Sequence, residues 1–106
     1  MNRWFAYDNG STIGAAGAKG EVTLRDEEHE LGARLTLKRG ETMVTVSCSI
    51  YGWMDHTRFF ATLAEAQREY LLMKPPLANM VENILSTGGG ELKMWEAIAD
   101  FVRRFP

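Results

Sequence analysis

Cysteine is almost missing from this sequence: Cys48 stands alone among 106 residues. No disulfide can form within the chain, and no cysteine-based metal site can be assembled. Excess charge of one sign is missing as well. Twelve Lys and Arg against fourteen Asp and Glu leave a formal charge of -2, which argues against nucleic acid or an anionic membrane as the main partner. Long apolar runs are lacking too. The longest stretch of apolar residues and glycine, residues 13–18, is mostly Gly and Ala, far short of the roughly 20 residues that cross a bilayer. The first five residues do not carry the basic segment and apolar run of an export signal. A reducing cytoplasm is therefore the expected compartment.

What is present is the balance of an ordinary folded chain, 45% hydrophobic and 25% charged. Residues 1–106 are expected to form a single domain that buries roughly two-thirds of its unfolded surface. The first part reads as strands. Residues 4–7 form a short aromatic run closed by Asp8, Asn9 and Gly10, a strong turn signal. Val22 and Leu24 alternate with polar neighbours, as do Ala33, Leu35 and Leu37, and then Val44, Val46, Cys48 and Ile50. This is the period of half-buried strands. Residues 26–30 read as a charged connector, and a further strand is expected within residues 53–60. Short links between successive strands imply an antiparallel meander, since parallel neighbours need long crossovers.

The change to helix is marked by a capping box, Thr62 to Glu65. Leu63, Ala66, Tyr70, Met73, Leu77, Met80 and Ile84 then recur at spacings of three and four, the stripe by which a helix lies on a sheet. Pro75 and Pro76 interrupt the backbone donors at a cost of about 3 kcal/mol or more, but the apolar phase continues through them. A kinked helix, or two abutting segments, is favoured over a loop. Glycines 88–90 end it, and a last helix is expected from about Glu91 to Arg104, with Leu92, Trp95, Ile98 and Val102 on its apolar face and Met94 and Phe101 widening it. The fold class is α+β: an antiparallel meander of four to five strands, covered on one face by a long Pro-kinked helix and a C-terminal helix.

The candidates for chemistry are few. The glycine-rich stretch around Gly14, Gly17 and Gly20 has Lys19 before glycine, then Glu21 and a strand, which is not a phosphate loop. His29, among Asp26, Glu27, Glu28 and Glu30, reads as part of a solvated turn. His56 and Arg58 share a strand face, and Asp55 lies on the other. Two separated histidines make no zinc site, and neither a metal nor a cofactor is expected. Cys48 falls on the aliphatic face, where a thiol behaves as a small hydrophobe.

Two surfaces remain. The outward sheet face is expected to carry Thr23, Arg25, Arg34, Thr36, Lys38, Thr45, Ser47, Ser49 and Tyr51. Of these, Arg25, Arg34, Thr36, Lys38 and Tyr51 are the candidate interaction face. A pocket between sheet and helices would use Tyr51, His56 and Arg58 as polar groups, with Trp53 and Phe60 as apolar wall, and Arg58 suits a carboxylate or phosphate. The expected function is a small interaction domain that associates with itself, as a dimer, or with a protein partner, through either the polar sheet face or the final helix and without catalytic chemistry. An anionic small-molecule binder or minor enzyme is the alternative. Nucleic acid and membrane are not expected as partners.

Overall fold

Alternating side chains take the chain back and forth five times. The computed structural model describes residues 3–106. Its strands are β1 (Trp4–Ala6), β2 (Val22–His29), β3 (Ala33–Arg39), β4 (Val44–Ile50) and β5 (Met54–Phe60), followed by helices α1 (Leu63–Met80) and α2 (Glu91–Arg104). The strands lie side by side in chain order, each antiparallel to the next. This is the expected α+β meander with both helices on one face.

Register divides the side chains cleanly. Leu35 pairs with Cys48, Leu37 with Val46 and Ala33 with Ile50. These form a buried aliphatic layer against Ala66, Tyr70, Met73, Leu77 and Met80 of α1. Each fully buried Leu, Val or Met contributes about 1.5–3 kcal/mol, and this layer is the main source of stability. The stripe read from the sequence is the face that α1 buries. Thr62 caps the helix by accepting the Glu65 amide hydrogen at 3.2 Å.

The helix runs without a break through Pro75 and Pro76 and then widens into a π-helical turn at Val81–Leu85. The two carbonyls deprived of a donor belong to Leu71 and Leu72, which are 55% and 48% exposed. On that solvent side, water satisfies carbonyls that would be costly in the core.

Three expectations need correction. Residues 26–29 are not a connector but the second half of β2, which pairs with β3 as far as His29 opposite Ala33. A bulge at Leu24, between the pairs Thr23–Lys38 and Arg25–Leu37, shifts the phase of that strand. Arg25 therefore lies on the helix side and not on the outward face, with its guanidinium 4.6 Å from the centre of the Tyr70 ring. Finally, α2 is rotated from its expected setting. Met94 and Phe101 face the core, while Leu92 and Trp95 are exposed.

Candidate functional site

Polar groups meet in three places. The first is the helix side of β2. Glu27 accepts hydrogen bonds from the Tyr70 hydroxyl at 2.6 Å and from the Lys74 ammonium at 2.9 Å. Burial alone would raise this carboxyl, but the bonds from Tyr70 and Lys74 and the nearby Arg25 outweigh it and hold the group below its ordinary value. Burial and the Glu27 carboxylate together push the Tyr70 phenol upward. Two residues further along the strand, on the same face, His29 is almost wholly buried rather than solvated. Its Nδ1 accepts the Leu31 amide hydrogen at 3.0 Å, so Nε2 carries the proton and donates it to Glu82 at 2.6 Å. With both nitrogens used, His29 has no lone pair left to act as a base.

The second place is the outward side of β2. Asp26 is buried and takes four hydrogen bonds: two from Arg34 at 2.9 and 2.8 Å, and one each from Thr12 at 2.9 Å and Thr36 at 3.0 Å. Burial acts to raise its carboxyl, but these donors prevail and lower it. Arg34 stacks on the Tyr7 ring, 3.5 Å from its centre. The segment after β1 is folded back here by a tight turn in which Asp8 and Asn9 take left-handed geometry.

The third place is the helix side of β5. His56 Nε2 donates to the Phe105 carbonyl at 2.6 Å. Arg58 donates to the Pro106 carbonyl at 3.1 Å and to Glu69 at 2.9 Å, with its guanidinium between the Phe60 and Phe105 rings. Cys48 is opposite His56 in the register, and burial pushes its thiol up to about 12, so no thiolate is present near neutrality.

The residues singled out from the sequence are thus dispersed. His56, Arg58 and Phe60 share the helix side of β5, where Arg58 is engaged by Glu69. Trp53 lies in the turn before β5 and packs on Trp95, 5.1 Å between ring centres. Tyr51 begins that turn and donates its hydroxyl hydrogen to Glu28 at 2.6 Å. Arg34, Thr36 and Lys38 do share the outward face, and Arg25 does not. Among the described residues no His, Cys, Asp and Glu side chains gather as a set of three or more metal ligands, and no helix is long and apolar enough to cross a membrane.

The outward face itself forms three rows across the sheet. Glu28, Arg34, Ser49 and Asp55 make one; Asp26, Thr36, Ser47 and Thr57 the next; and Thr23, Lys38, Thr45 and Phe59 the third. The β2 end lies under the segment that carries Tyr7, Thr12 and Ala15. Among the described residues no element covers the β4–β5 end, and there Phe59 is 65% exposed. The sequence alone did not single out Phe59; its alternation with His56 and Arg58, on the same side of the strand as Asp55 and Thr57, was the available signal. Two hollows flank these features. One, about 190 Å³, lies beneath the glycine-rich segment and is lined by Thr12, Glu21, Asp26, Arg34 and Lys38. The other, about 210 Å³, lies between α1 and α2, beside Met80, Phe101 and Arg104.

No protein-family model matches the chain, and searches of curated proteins and of solved structures find no match to it.

Proposed function

We propose that the protein is a small cytoplasmic interaction domain, residues 1–106 acting as one unit, that associates with itself or a protein partner and performs no catalysis. One observation carries this reading. Asp26, Glu27, Glu28, His29, His56 and Arg58 are engaged by internal partners and the Cys48 thiol is quenched by burial, while Phe59, Leu92 and Trp95, 65%, 72% and 46% exposed, face outward. Apolar side chains left in water next to one another, as Leu92 and Trp95 are one turn apart on α2, support a surface that an assembly covers.

A second reading, an anionic small-molecule binder, has a more modest basis. Lys38 faces the hollow under the glycine-rich segment without a hydrogen-bond or ion-pair partner among the described residues, although the Glu21 carboxylate lines the same hollow. Native mass spectrometry on gently purified protein separates the two. A dimer, or a complex with a second protein, is the expected result. A monomer that releases a small anionic mass on denaturation overturns the interaction reading in favour of the binder.

A further inference from the structure

Helix α2 has more apolar surface than the fold uses. Met94 and Phe101 point to the core, with Phe105 continuing that line. Beside them runs a second stripe, Leu92, Trp95, Ala99 and Val102, spaced three, four and three residues apart. That is the spacing of a helix–helix seam. Leu92, Trp95 and Ala99 are exposed and Val102 is half-buried. At 1.5 Å per residue the stripe extends along about 15 Å of helix.

Its charges show what fits it. Glu96 and Arg103 border the seam on its solvent side, one toward each end of the helix. Both are exposed, and Glu96 has no hydrogen-bond or ion-pair partner among the described residues. Arg103 holds Asp100 at 2.8 Å, a pair with both side chains about three-quarters exposed, which costs little to rearrange. Over the whole helix Glu91, Lys93 and Glu96 leave the first half one charge negative, and Asp100, Arg103 and Arg104 leave the second half one charge positive.

From this pattern we infer that the α2 seam is the self-association face, and that its occupant is the α2 of a second copy packed antiparallel across a two-fold axis. The inference rests on the self-association reading above and names the surface that performs it. Ala99 lies at the axis, where its small side chain allows close approach. Trp95 is four residues before Ala99 and Val102 three after, so each Trp95 meets Val102 of the second copy. Glu96 and Arg103, three before and four after, meet in the same way as opposite charges. A parallel arrangement would set like charges and like ends of the helix dipole together. The two-fold arrangement is self-complementary, as a closed dimer requires. A seam this short lies at the small end of specific interfaces, so a dimer with a dissociation constant of about 1–100 μM is expected.

Sedimentation velocity on the full chain from 1 to about 500 μM tests this. The wild type is expected to pass from monomer to dimer over that range. Ala99→Arg, at an exposed helical position, is expected to weaken the dimer at least tenfold with an unchanged circular dichroism spectrum. Glu96→Arg and Arg103→Glu are each expected to weaken it, and the double charge swap to restore it. Phe59→Ser, on the opposite side of the sheet, is expected to leave it intact. A wild type that stays monomeric throughout removes the self-association reading and this inference with it. A dimer indifferent to Ala99→Arg and to the single charge reversals, or one lost through Phe59→Ser, overturns the α2 seam alone and leaves self-association standing.

Discussion

Strands β2 and β5 are similar in length and polarity, yet they use their polar side chains in opposite ways. In β2, Asp26, Glu27, Glu28 and His29 follow one another and each has a partner, on one face from β3, the segment before β2 or Tyr51 in the turn before β5, and on the other from α1 and the turn after it. In β5, the helix-side residues His56 and Arg58 are engaged, but the outward ones divide. Thr57 shares a hydrogen bond with Ser47, while Phe59 stands in water. A polar strand is not in itself a functional strand. What distinguishes them is whether the rest of the chain supplies partners, and where it does the polarity serves the architecture.

The comparison can be broken most sharply at Asp26. Asp26→Ala removes the acceptor of four hydrogen bonds and leaves the Arg34 guanidinium without its counter-charge. A loss of about 3 kcal/mol is expected in urea unfolding, and a loss under about 1 kcal/mol would mean that Asp26 does not organise this end of the sheet.

Acid acts on the same groups in the wild type. Asp26 and Glu27 both titrate below their ordinary values of 3.8 and 4.5, so the unfolded chain takes up protons first as pH falls. Their contribution is complete above those ordinary values and disappears as the pH drops through the lower, folded ones. The urea midpoint should therefore decline steeply below about pH 4, and Asp26→Ala should flatten the decline. Equal slopes in the two proteins would count against it.

Smaller effects sharpen the contrast. Tyr70→Phe removes only the hydroxyl that Glu27 accepts, and should cost about 1–2 kcal/mol at neutral pH. Phe59→Ser, at the uncovered end of the outward face, should change monomer stability by less than about 0.5 kcal/mol. A larger loss from Phe59→Ser would show that this side chain belongs to the fold.

Strands β3 and β4 were legible in the sequence because their alternation is unbroken and both apolar sets meet the same helix stripe. That stripe was legible through two prolines for a related reason: its phase depends on side chains and not on backbone donors. Strand β2 was not, for two physical reasons. The bulge at Leu24 shifts the alternation, which moved Arg25 to the wrong face. The charges that follow look solvated until their partners at positions 12, 34, 36, 51, 70, 74 and 82 are brought alongside by the fold. The α2 face was misjudged because the helix carries two apolar arcs, and periodicity alone does not say which one meets the core. The candidate surface was legible in part. Arg34, Thr36 and Lys38 lie together as the alternation implied, but the grouping of Tyr51 and Trp53 with His56 and Arg58 depended on a turn whose path local pattern does not give.

The sequential order of the strands has a consequence for synthesis. Every strand pairs with its immediate predecessor, so the sheet can close hairpin by hairpin as the chain leaves the ribosome. Its greasy side, with Leu35, Leu37, Val46 and Ile50, then waits for a cover that is translated afterwards. Adding the 18 residues of α1 takes about 1–4 s at ordinary elongation rates. During that interval the nascent sheet is a ready substrate for chaperones, and a pause in translation just before α1 would lengthen its exposure.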